Sequence, residues 1–186
     1  MIVVVRIIAP LAAALTLVTA APAHAEPPSP LHRLVDTAAQ RLETADAVAA
    51  YKWINGGPIT DVPRAQQVLD NVAADASANG VDADYVRTQF RNQIDATEGI
   101  EYIRFGQWKF DPAAAPGQAP DLAESRTAID GFNKTMVEEL ALQWGTLHGP
   151  GCGAALSEAK TAVAAERQLD QLHQDGLRAA TRSYCS

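Results

Sequence analysis

Apolar residues recur at helical spacing through most of the chain, and no segment alternates with the period of a strand. The clearest stripe is Leu31, Leu34, Val35, Ala38, Leu42, Ala45, Val48 and Ala49, which predicts a first helix from about Leu31 to Ile54. Asn55-Gly56-Gly57-Pro58 stops it. Asp61 is placed to cap a second helix, with Pro63 in its first turn, and Asn79-Gly80 ends that helix after about Ala78. Asp82 or Asp84 opens a third, which follows Val86, Phe90, Ile94, Thr97, Glu101, Phe105 and Trp108 to about Phe110. Beyond a proline-rich connector over 111–120, Asp121 and Glu124 have capping-box-like spacing. They predict a fourth helix to about His148, carrying Leu122, Ile129, Met136, Leu140 and Trp144 on its apolar side. His148-Gly149-Pro150-Gly151 breaks the chain before a last helix from about Ala154 to Tyr184. The expected fold class is all-α, a bundle of about five main helices.

Several charges interrupt these stripes. Arg41 and Lys52 are eleven residues apart, within about 20° of three full turns, so they share one side of the first helix with Ala45 and Val48 between them. Arg64, Glu101 and Arg126 also lie on or beside apolar lines. Singly, each is a surface stem or half of a salt bridge. Together, four cations and one carboxyl directed into a helical bundle predict a pocket for an anion, because the cations repel one another unless a dianion joins them.

The chain has 186 residues, enough for one domain. Its net charge of -7 and pI near 5.0 argue against nucleic acid as a partner but leave room for a small anion bound by a local cation cluster. Residues 1–25 read as an export signal: Arg6, an apolar run, then Ala23-His24-Ala25 as a cleavage pattern. Pro10 and Pro22 interrupt that run, so no stable membrane anchor is expected. The domain division is therefore a cleaved signal over 1–25 and a single domain over 26–186, periplasmic or secreted after processing near Ala25. In an oxidising compartment Cys152 and Cys185 are expected to form a disulfide. No metal site is expected: His32, His148 and His173 lack ligand spacing, and His24 leaves with the signal. No nucleophile-elbow motif is present.

The charged residues carry a family pattern. Arg41, ten residues, Lys52, eight residues, Asp61, two residues, Arg64, and later Thr97 with Glu101, resemble the all-helical chorismate mutases. The signal, the extra C-terminal helix, the pair Cys152/Cys185, and the segments LVDTAAQRLETADAVAAYKW, DATEGIEYIRFGQWK, APDLAESRTAID and SYC resemble the secreted subgroup best known from mycobacteria. The likeness spans about residues 29–185.

The resemblance implies a Claisen rearrangement of chorismate to prephenate without cofactor or covalent intermediate. Lys52, Glu101 and Arg126 would be catalytic; Arg41, Asp61, Arg64 and Thr97 would complete substrate binding. The arginines would hold carboxylates, Thr97 would bond a carboxylate, and Asp61 with nearby backbone would orient the substrate hydroxyl. Lys52 and Glu101 would donate to the ether oxygen, which requires Glu101 protonated, its pKa raised by burial and by the anionic substrate and opposed by Lys52 and the arginines. Some relatives place Glu after the second-helix Arg to bind that hydroxyl; here it is Ala65, followed by Gln66 and Gln67 as possible polar contacts. The subgroup likeness also implies a homodimer, with Arg126 of the same chain standing in for a partner's arginine. The alternative is an exported, non-enzymatic binding protein for a small dicarboxylate.

Overall fold

The computed structural model describes residues 28–185. The expected signal and its cleavage point lie outside them. Among the described residues every regular element is helical: α1 (His32–Asn55), α2 (Val62–Ala78), α3 (Ala83–Phe110), a 3-10 turn at Pro112–Ala114, α4 (Leu122–Leu142), the single turn α5 (Trp144–Leu147), α6 (Cys152–Glu166) and α7 (Gln171–Ala180). None of them is long and apolar enough to cross a membrane.

Local chemistry sets most of the boundaries. Gly56, at φ 82°, takes the chain out of α1 in a conformation that costs glycine little. The Asp61 carboxylate accepts from the Arg64 amide at 3.1 Å and opens α2. Asp82, not Asp84, caps α3 by accepting from the Tyr85 amide at 2.6 Å, and Asp121 does the same for α4 through the Ala123 amide at 2.6 Å.

α1 is the hub. It packs against α3, α4, α6 and α7, while α2 lies across α3 and α4. Leu31, Leu34, Val35, Ala38, Leu42 and Ala45 are all buried, as their spacing predicts, against Phe90 and Ile100 of α3 and Met136 and Leu140 of α4. α7 approaches very closely: a Cβ added at Gly176 would lie 2.9 Å from Ile100 Cδ1.

Three expectations need correction. The last helix is two helices, because Gln168 adopts φ 53° and Asp170 caps a new start by accepting from the His173 amide at 2.8 Å, while Leu169 turns into the core. The fourth helix ends at Leu142 instead of reaching His148, and a separate turn follows. In α3 the buried line passes through Gln93, Ala96 and Ile100; Phe105 and Trp108 instead form a half-buried cluster with Trp53, and Phe110 is 94% exposed.

The Cys152–Cys185 disulfide is formed, with Cα atoms 5.7 Å apart. It ties the start of α6 to a C-terminal tail fastened along α3. There Tyr85 Oη donates to the Tyr184 carbonyl at 2.6 Å, Gln89 Nε2 donates to the Ser183 carbonyl at 2.8 Å, and the Tyr184 side chain is fully buried.

Candidate active site

A cleft of about 620 Å³, open mouth included, lies among α1, α2, α3 and α4. Arg41, Lys52, Asp61, Arg64, Thr97, Glu101 and Arg126 all line it. Val48, Ile59, Val68, Ile94, Leu122 and Ile129 supply apolar walls. The charges share the cleft but differ in depth: Arg41 and Glu101 are buried at 4% and 3% exposure, Lys52 and Arg64 are half-buried, and the Arg126 side chain is 45% exposed at the rim.

Arg41 occupies the floor. Its Nε donates to Asn133 Oδ1 at 2.8 Å and its Nη1 to Thr97 Oγ1 at 3.2 Å. Both partners are neutral, and no carboxylate comes within ion-pair distance among the described residues. Burial pulls the guanidinium down to about 10, with the nearby Arg64 charge adding to the effect. A buried cation without a counter-ion carries a large desolvation penalty.

Beside it, Lys52 Nζ donates to Glu101 Oε2 at 2.7 Å and to the Ile59 carbonyl at 2.9 Å. Burial raises the Glu101 carboxyl to about 7, against the opposing hydrogen bond and charge of Lys52, and the Glu98 charge adds to the rise. Near neutral pH the carboxyl therefore exists in both protonation states. The remaining cations hold carboxylates of the chain: Arg64 Nη2 meets Asp130 at 2.6 Å, and Arg126 Nη2 meets Asp61 at 3.5 Å.

Sequence spacing missed four participants. Asn133 and the Ile59 carbonyl fix Arg41 and Lys52, Asp130 holds Arg64, and Glu98 lines the cleft. Two could have been found from Arg126, since Asp130 and Asn133 follow it by one and two helical turns. Gln66 and Gln67 do not join the lining. Gln66 donates to Asp70 at 3.0 Å, and Gln67 accepts from Arg64 Nη1 at 2.9 Å. Ala65, by contrast, does line it.

A buried, uncompensated guanidinium shares the cleft with a Lys–Glu pair of raised carboxyl pKa, an arrangement able to receive an anion and offer it a pair of hydrogen-bond donors. A family model described as chorismate mutase type II matches residues 32–102. A secreted chorismate mutase of Mycolicibacterium smegmatis is 54% identical over 163 residues, covering 88% of this chain and 90% of that protein. A secreted chorismate mutase of Mycobacterium tuberculosis is 47% identical over 163 residues, covering 88% of this chain and 82% of that one. The crystal structure of chorismate mutase from Burkholderia phymatum matches with a TM-score of 0.80 at 30% identity, covering 85% of this chain and 97% of that one. The chain belongs to the chorismate mutase family.

Proposed function

We propose that the cleft converts chorismate to prephenate by holding the substrate in its folded reactive shape and stabilising charge at the breaking C–O bond. The reaction is an intramolecular Claisen rearrangement: the ether C–O bond breaks as a C–C bond forms, and no proton or electron enters or leaves. The protein's tasks are therefore orientation and electrostatic stabilisation.

The observation that carries this reading is Arg41, buried at 4% exposure with only neutral partners, lining the same cleft as the Lys52–Glu101 pair. Arg41 and Arg126 bind substrate carboxylates through planar forks, and Arg64 does so on exchanging Asp130 for substrate. Thr97 bonds a carboxylate and holds Arg41. Asp61 caps α2 and steadies Arg126, positioning two arginines. Lys52 and protonated Glu101 donate to the ether oxygen, where negative charge grows in the transition state. The apolar walls, Val48, Ile59, Val68, Ile94, Leu122 and Ile129, face the ring.

The test is chorismate consumption followed by absorbance, with Lys52→Ala and Arg126→Ala as controls. Turnover by the parent chain and its collapse in both variants support the site. Tight binding of chorismate without prephenate formation would favour a dicarboxylate-binding protein instead.

Export belongs to the same proposal, supported by the leader-like pattern of residues 1–25 and by relatives named as secreted. N-terminal sequencing of the exported protein should begin at Glu26. A homodimer follows from likeness to the secreted subgroup; light scattering should give twice the chain mass.

A further inference from the structure

A polar ridge runs along α3 from the C-terminal tail to the cleft. Tyr85, Gln89, Gln93, Thr97 and Glu101 follow one another at intervals of four residues, each one turn beyond the last. At the tail end, Tyr85 and Gln89 hold the carbonyls of Tyr184 and Ser183, in addition to the disulfide that fastens the same segment. In the middle, Gln93 is fully buried. Its Nε2 donates to the Ala38 carbonyl of α1 at 2.8 Å, and its own carbonyl accepts from Thr97 Oγ1 at 2.8 Å. Thr97 Oγ1 in turn accepts from Arg41 Nη1. Hydrogen bonds thus lead from Gln93 to the floor of the cleft.

The ridge is unfinished where it meets the tail. A carbonyl only accepts, so both glutamines must turn their NH2 groups to Ser183 and Ala38 and their amide oxygens away. Gln89 Oε1, Gln93 Oε1 and Tyr184 Oη are buried and meet no partner among the described residues. Of four such atoms these three belong to one region, and the fourth, His173 Nε2, is on α7. Leaving a buried polar atom without a partner is costly, so a cluster of them points to a bound group. Two amide oxygens need donors and a phenol needs an acceptor, and water offers both. Burial holds the Tyr184 phenol above its ordinary range, with Arg41 opposing, so it keeps its proton and is close enough to feel the guanidinium.

We propose that ordered water binds between α3 and the tail, donating to Gln89 Oε1 and Gln93 Oε1 and accepting from Tyr184 Oη, and that Tyr184 thereby acts as a positioning residue for Arg41. The gain is electrostatic. A carboxylate behind Arg41 would hold it firmly but would cancel the charge a dianionic guest needs. A neutral shell of Asn133, Thr97, phenol and water fixes the guanidinium and leaves its charge for the guest. This role rests on the reading of the cleft as a chorismate site.

Tyr184→Phe tests it, because it keeps the buried ring and removes only the hydroxyl. In steady-state kinetics of the full folded protein, KM for chorismate should rise about threefold to tenfold, the range for one hydrogen bond between neutral groups, with kcat within about twofold of the parent. Stability in denaturant should not fall. In an Arg41→Met background the same change should leave kcat/KM within about twofold, because it acts through Arg41. A high-resolution crystal structure of the parent should show ordered water on Tyr184 Oη and both amide oxygens, and the Tyr184→Phe crystal should lose it. Absence of that water in the parent would overturn the inference. So would an unchanged KM for Tyr184→Phe, or the same loss with and without Arg41. Failure of the parent chain to consume chorismate would instead overturn the reading of the cleft, and the crystal structure would still test the water site.

Discussion

Two sets of arginines lie at α1, one reaching it from neighbouring elements and one in the cleft that includes Arg41 of α1 itself, and they differ in what meets them. On the side of α6 and α7, Arg104 reaches Asp46 at 2.7 Å and Asp170 at 3.1 Å, and Arg167 is bonded to both Asp36 and Glu43. Hydrogen bonds to these carboxylates push both guanidinium groups above their ordinary range. On the cleft side, Arg41 is deeper than either and meets only an amide and a hydroxyl, so burial pulls it down. The first arrangement is complete within the fold and braces it. In the second, Arg64 and Arg126 hold carboxylates but Arg41 has no counter-ion among the described residues, the place the proposed dianionic substrate would fill. Counting arginines would not separate Arg41 from the brace; counting its counter-ions does.

The sharpest way to break this comparison is to replace one arginine of each kind. Arg41→Met should lower kcat/KM by at least about a hundredfold to a thousandfold, the cost of losing one well-placed donor to developing or bound charge, without lowering stability in denaturant. A melt that falls sharply with activity intact would reverse the assignment. Lys52→Ala should lose activity on the same scale, measured by chorismate absorbance.

The brace should behave in the opposite sense. Paired Cys152→Ser and Cys185→Ser substitutions open a loop of 33 residues and should cost about 3–4 kcal/mol of unfolding free energy in a chain-entropy estimate. At a temperature where the variant is folded, kcat/KM should match the parent.

A pH series sharpens the cleft side further. With Glu101 titrating near 7, activity should fall as pH rises through that value, approaching about tenfold per unit well above it, and Glu101→Gln should flatten the decline. The linkage has the same origin. A carboxyl raised from 4.5 to about 7 by folding holds a proton in the native state that the unfolded chain releases, so its contribution to stability is full below 4.5 and lost as pH rises through 7. Denaturation at pH 5 and pH 8 should show Glu101→Gln gaining on the parent at the higher value. The smallest effect is expected for Arg167→Ala: about 1 kcal/mol or less for partly exposed pairs, with unchanged kinetics.

What sequence could and could not announce follows from the range of the interactions. Caps at Asp61 and Asp121 are local, and their residues state them. The α1 stripe is equally plain, and the shared face of Arg41 and Lys52 follows from helical geometry alone. The break at Gln168 is not announced, because neither glycine nor proline marks it; only Asp170, as a new cap, hints at it. Helix phase assigns a face to Arg41 but not a partner, and the partner that matters, Asn133, is 92 residues away. Glu98 lies beside the apolar line of α3, where a carboxylate ordinarily faces water, so helix phase does not mark it as part of the cleft lining.

The connector from Asp111 to Asp121 has one more consequence. It lets α4 turn back over α1 and α2, so that Arg126 reaches the cleft shared by Arg41, Lys52 and Arg64. Among the described residues, that one connection brings α4 to the wall opposite α3, and the rim of the cleft carries a guanidinium from late in the chain. Specific activity that stays constant on dilution would show that this chain completes its own cleft even when it pairs with a second copy.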